Sequence, residues 1–527
     1  MTAAALLAPF PLLLVLALLG SGRLQALGAG LAGLAAALAA ALWLALQAGG
    51  WPAAAALLAR ELPAGLWLAW PVLAIIVPGV FFHHAGQAYQ ARLAPGPSSS
   101  ATAPSAAASS ATAPARDAPP GDSPAGQPAR GEAGGVAPAA PIDPRRLWAL
   151  CFLLAPFAEA VTGFGVGYLI ALAALRALGL QGLPALVLGL FSQSLVPWGA
   201  LAVGTSAGAA IAGMQASDLG LRTALLQAGV HALYLPLYWR FARQAGVPIA
   251  AAQKRDDIAW TALLIALVAL TNHHSDPEIA AAAPCAALLA LRFWRDRRPD
   301  RAALIAALRA SAPSVALVLV LCATRLIAPL RDLLATLAVI SPLPGKPGFA
   351  PFYAPGLWVI AVALGVALAA RAAPGALAIG TARGAWRSCA VTASFMLMAQ
   401  CYLGSGMAQA LADSLAELAQ RWALLGVPLL AAMGGFLTGS AAAAAAMLMP
   451  LDIALARGLG ADPGWIAAVQ TSVSANLSML SPMRVSMGTA VLGLGAVEAA
   501  LYRRAWPLAL PPLATGLAAA LVISLRA

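Results

Sequence analysis

Residues 158–165 read AEAVTGFG: a single glutamate, Glu159, then Gly163 and Gly165 on either side of Phe164. The flanks, FLLAPF before and VGYLIALAAL after, are otherwise apolar. Two glycines so close together end a helix, and a carboxylate at mid-membrane depth costs about 2.5–3.5 kcal/mol on insertion scales. Working outward, the chain is 61% hydrophobic and only 9% charged, a balance that no soluble globular domain shows. Apolar runs long enough for a helical crossing, about 20 residues each, recur from Leu6–Gly20 to the 507–524 stretch. A β-barrel would instead show short alternating segments. The composition predicts an all-α polytopic membrane protein of about 12–14 spans.

The net charge of +12 would suggest nucleic acid as a partner in a soluble protein. Here the bases cluster in short loops: Arg145/Arg146, Arg240 to Arg255, Arg292 to Arg301, Arg371 to Arg387 and Arg503/Arg504. They read as cytoplasmic topology signals, with no nucleic-acid partner. The five cysteines have neither CxxC spacing nor a paired framework and read as small packing residues. Arg23 follows the first apolar run and does not precede it, so that run reads as a membrane helix and not as a cleaved leader. The histidines suggest no metal site, no cofactor motif is present, and the signatures of hydrolases, zinc proteases and Walker-type ATPases are missing. An enzyme is not expected.

Residues 1–94 read as N-terminal membrane helices. A Pro/Ala/Ser-rich stretch, 95–142, has almost no bulky apolar side chain and is expected to be a flexible linker. A first transport core spans 143–215, intervening helices 216–421, a second core 422–504 and a last membrane helix 505–527. By the loop charges, the first core starts inside and ends outside, while the second does the reverse. Their sequences also rhyme. Thr162 lies 31 residues before Gln193, which Pro197 follows; Thr438 lies 32 residues before Gln470, which Pro482 follows. Paired Gly/Pro-interrupted apolar segments of opposite topology point to inverted repeats with broken helices or re-entrant hairpins.

Backbone breaks inside a membrane need protein or a water-filled cavity to satisfy them. Helices restarting after Thr162, Gly163, Phe164 and Gly165, and after Gly439 and Ser440, would aim free N–H groups and a positive dipole end at an anion. Glu159 is a candidate proton carrier; its plainer role is an ion pair with a base such as Arg146 or Arg176. Asp452 is the second candidate, with pairing to Arg457 as its plainer role. Arg325 and Arg484 are embedded bases suited to clamping a carboxylate, though a lone membrane arginine also snorkels to an interface. Ser192, Gln193, Gln470 and Asn476, with their neighbouring hydroxyls, would line a substrate path or hold helices together.

At several places the sequence resembles the L-lactate permease family. FAEAVTGFGVGYLIALAAL is similar to its EGAAGFG-type signature, LCATRLIAPLRDLL to its TRIPPLK-like segment, GSGMAQALA to its SGM-containing helix and GGFLTGS to its GAFxSGSNT motif. The 461–504 stretch resembles its carboxy-terminal region. Glu159, Gly163, Phe164, Gly165, Arg325, Gly406, Gly439, Ser440, Gln470, Asn476, Pro482, Glu498 and Arg503 fall on motif positions. Departures occur at Ala441 and Ala442, where the family has Asn and Thr, at Asp452 in place of Gln, and at SPMR in place of APHN, which puts Arg484 at an Asn position. The resemblance implies a proton-coupled symporter of lactate or similar 2-hydroxy monocarboxylates in a bacterial inner membrane. Its partners would be a small organic anion, a proton and the bilayer. A sodium- or proton-coupled carrier of another organic anion is the alternative reading, and a non-transporting membrane enzyme or scaffold the more distant one.

Overall fold

The computed structural model describes residues 3–93, 142–163, 165–495 and 497–527. The linker expected over 95–142 falls, except for Ile142, outside the described residues, as does Phe164. The described residues are helical with no strand, only an isolated antiparallel bridge between Ile340 and Phe349. Among the described residues, six helices are long and apolar enough to cross a membrane, or seven if a bent pair counts as one span. That is fewer than the 12–14 spans expected. One reason is that Ala26–Leu93 is two rods joined across Gly49 and Gly50, whose backbones are non-helical. Another is that breaks divide other apolar stretches into pieces shorter than a crossing.

Both cores repeat one pattern, a helical hairpin followed by a broken span. In the first, Pro144–Ala149 runs through a π-helical turn, Leu150–Leu154, into Ala155–Thr162. The chain reverses at Gly163 (φ 69°, ψ −165°) and Gly165 (φ 82°) and returns as Val166–Ala177. Only glycine adopts such angles readily. The arms touch so closely that a methyl on Gly167 would overlap Ala155 and Glu159. The broken span is Gly182–Phe191, a 3-10 turn at Val196–Trp198, and Gly199–Ala212, bent by 62°. In the second core the hairpin is Gly426–Thr438 and Ala441–Gly458, reversing at Gly439 (φ 63°). The broken span is Pro463–Leu477, a turn at Ser478–Leu480, and Pro482–Val491.

The two polar runs sit differently with respect to the breaks. Gln193 lies in the first break, whereas Gln470 is inside a regular helix and the second break comes later, at Ser478–Ser481. The break follows the proline, which cannot donate to the turn before it, and no such residue stands beside Gln470.

All four interruptions converge. Added methyls on Gly163, Gly165, Gly439 and Gly204 would meet Ala200, Met487, Ser481 and Ala441 respectively. Each hairpin tip therefore packs on the restart of its own broken span and against the broken span of the other core. The restart of the first span is strained: Ala200, Leu201 and Ala202 have φ of 52°, 54° and 58°, at roughly 1–2 kcal/mol per residue. Strain of this kind clusters at functional sites, and here it borders Glu159, whose Cγ lies 3.5 Å from the point a Gly199 Cβ would occupy.

Candidate functional site

Glu159 faces back under its own hairpin tip and is only 3% exposed. Its Oε1 accepts the N–H of Gly165 at 3.2 Å and its Oε2 that of Gly167 at 3.0 Å. The helix N-terminus formed after TGFG is thus capped by the chain's own carboxylate. The N-terminal dipole and free N–H groups favour a negative charge there. From the second broken span, Arg484 brings Nη2 to 3.3 Å from Glu159 Oε1, and its Nη1 donates to Gln193 Oε1 in the first break. Arg484 is held by its position: Ser481 Oγ caps the restarting helix by accepting the Arg484 backbone N–H at 3.4 Å. Neither Arg146 nor Arg176 pairs with Glu159; Arg146 lies 3.8 Å from Asp143 instead. The pairing follows from the meeting of the two cores, which brings a base 325 positions away into contact.

Two polar atoms beside this pair have no partner: Gln193 Nε2 and the Tyr168 hydroxyl. Tyr168 lies against Gly488, one turn beyond Arg484. The sequence offered no reason to single out Tyr168, since a lone tyrosine on an apolar helix reads as packing.

A second network joins the cores. Gln227 Nε2 donates to the Ser194 carbonyl (2.6 Å) and to Asn476 Oδ1 (3.1 Å), while its Oε1 accepts from Asn476 Nδ2 (3.0 Å) and Ser472 Oγ (3.1 Å). Asn476 is therefore engaged in a reciprocal amide pair. Gln227 escaped the sequence reading because it belongs to none of the motifs or polar runs that the sequence singles out.

At the second tip, Thr438 Oγ1 donates to the carbonyl of Gly434 at 2.7 Å, and Ser440 Oγ accepts the Ala443 N–H at 3.3 Å. This tip carries no carboxylate equivalent to Glu159. Thr162 likewise turns its hydroxyl to the Ala158 carbonyl. Ser192 donates to Gly189 O at 2.6 Å. Asp452 is 1% exposed and neither carboxylate oxygen has a partner, nor do Gln470, Thr471 Oγ1 and Ser474 Oγ on the facing helix. The helices bearing them meet where Met449 and Thr471 both touch Gly208. Arg457, its expected partner, makes no ion pair with it among the described residues.

Arg325 belongs to a different cluster. Its Nη1 donates to Thr324 Oγ1 (2.6 Å), its Nη2 to the Tyr353 carbonyl (2.8 Å), and its guanidinium lies 4.8 Å from the Tyr353 ring centroid. The Tyr353 hydroxyl donates to Asp276.

The family model described as L-lactate permease matches residues 348–525. Residues 348–525 are thus similar to the L-lactate permease family. No curated protein matches the chain. The match contains the second hairpin, the second broken span and Arg484, whereas Glu159, Gln193 and Arg325 precede it. It supports a lactate transporter rather than an enzyme, and with the apolar helices a multi-pass membrane protein.

Proposed function

We propose that the chain is a proton symporter of lactate and similar small 2-hydroxy monocarboxylates in a bacterial inner membrane, and that Glu159 couples proton to substrate. The observation that carries this reading is the place of the Glu159 carboxylate. It sits on the donors that a substrate carboxylate would need: the N–H groups of Gly165 and Gly167 and the Arg484 guanidinium. Two carboxylates cannot share those donors while both are charged. Protonation removes the charge that makes the Glu159 bonds strong and frees Arg484 for the incoming anion. Gln193 Nε2 and the Tyr168 hydroxyl, both unpartnered, suit the substrate's 2-hydroxyl. Substrate departure and loss of the proton restore the Glu159–Arg484 pair, so neither ligand crosses alone.

Thr162 and Gly163 shape the first tip; Gly439 and Ser440 supply the second, whose N–H groups face the same convergence. Asp452, buried and unpartnered, is a second position for a proton. Gln470 and Ser192 belong to the polar lining, and Arg325 is an anion contact on the way in.

The test is lactate uptake into proteoliposomes under an imposed pH gradient, alongside lactate exchange without a gradient. Glu159→Gln, a mimic of the protonated state, is expected to lose gradient-driven accumulation and keep exchange. Arg484→Gln is expected to lose both. Accumulation by Glu159→Gln equal to that of the unaltered protein would overturn the coupling role.

A further inference from the structure

A cavity of about 220 Å³ opens where the helix Ala216–Gln244 turns into Ala251–His274, apart from the Glu159 site. Its lining includes three cations, Arg240, Arg243 and Lys254, with Trp239, Pro236 and Ile249. The Lys254 ammonium lies 5.3 Å from the Trp239 ring centroid. None of the three cations has an ion-pair partner among the described residues, and the neighbouring carboxylates are already engaged. Asp256 lies 3.4 Å from Arg292 and 2.9 Å from Arg295, and Asp257 accepts from Trp239 Nε1 at 3.0 Å and Gln253 at 2.7 Å. The cavity is a concentration of positive charge with no counter-ion of its own.

The same two helices expose Leu225 and Leu233 on one and Ile258, Leu263 and Leu270 on the other. By the loop charges, the basic turn at the end of this surface reads as cytoplasmic. We propose that this cavity holds the phosphodiester headgroup of an anionic phospholipid whose chains lie along that apolar surface. Basic pockets between membrane helices suit such headgroups. The arginine forks would take the phosphate oxygens, Lys254 would add a point charge, and Trp239, whose amphipathic ring suits a membrane–water interface, lines the same cavity. The apolar surface decides between two sources of phosphate: a soluble phosphate would make no use of it.

The experiment uses the delipidated full-length protein in detergent. Thermal unfolding is followed on adding phosphatidylglycerol, phosphatidylcholine at the same mole fraction, or inorganic phosphate, and native mass spectrometry counts bound lipid. Phosphatidylglycerol is expected to raise Tm by several degrees and remain bound, with the other two without effect. The triple variant Arg240→Gln/Arg243→Gln/Lys254→Gln is expected to lose that shift, while Arg383→Gln/Arg387→Gln keeps it. If the triple variant fails to fold, Lys254→Gln alone is expected to weaken phosphatidylglycerol retention at least twofold. An undiminished shift in the folded triple variant, undiminished retention in Lys254→Gln, an equal shift with phosphatidylcholine, or a phosphate effect as large as the lipid's would overturn the proposal.

Discussion

Glu159 and Arg484 form a pair that is almost wholly buried, with side-chain exposures of 4% and 6%. Such pairs are worth little against an apolar replacement, yet losing one partner costs about 3–5 kcal/mol because the other charge is left uncompensated. Arg484→Gln is therefore expected to lower Tm markedly, and adding Glu159→Gln to recover part of the loss. A thermal-unfolding double-mutant cycle reads that coupling, and strict additivity would show the two residues to be independent. The Gln227–Asn476 amide pair predicts a different residue-level effect. Asn476→Ala leaves both ends of the Gln227 amide short of a partner, at about 1–3 kcal/mol, and should lower Tm without changing the pH dependence of uptake.

At the scale of elements, the hairpin tips and the helix starts carry the fold. Gly163→Ala must place a methyl both at positive φ and into Ala200, so reduced folding yield and impaired uptake are expected, measurable by size-exclusion recovery and transport. The helix Pro463–Leu477 starts on Asp462, which accepts the Gly464 N–H at 2.8 Å and pairs with Arg222 at 2.6 Å. Burial pushes the Asp462 carboxyl up, but the Arg222 bond and the backbone N–H groups outweigh it and hold the group below its ordinary value. A depressed folded value means that its contribution is present above the unfolded pKa, about 3.9, and fades as pH falls through the lower folded value. Asp462→Ala should cost about 1 kcal/mol of helix capping, seen as a Tm difference near neutral pH that narrows in acid. The breaks themselves were legible, because Gly163, Gly165, Gly439 and Pro482 are local causes. The matched spacing of Gln193 and Gln470 does not fix where the second break falls, since in Ala-rich sequence it does not say which residue lacks its N–H.

At the scale of the whole molecule, the two cores touch through small residues, Gly204 packing on Ala441 and Gly208 between Met449 and Thr471. A transport cycle needs relative motion of such packed surfaces. Gly204→Val should wedge them apart and slow uptake more than it lowers binding, which separate measurements of lactate affinity and uptake rate would reveal. The membrane class, the helical content, the hairpin reversals and the embedded polar residues other than Gln227 and Tyr168 were determined by the sequence itself. They follow from hydropathy, from the angles glycine alone tolerates and from the donor proline lacks, all properties of residues and their immediate neighbours. Which buried groups meet was decided only by the tertiary structure: Glu159 with Arg484 instead of Arg146 or Arg176, Asn476 with Gln227, Arg325 with Tyr353. Those choices depend on contacts between segments hundreds of residues apart, and charge and hydrogen-bonding capacity name what each side chain needs without naming which partner the folded chain brings to it.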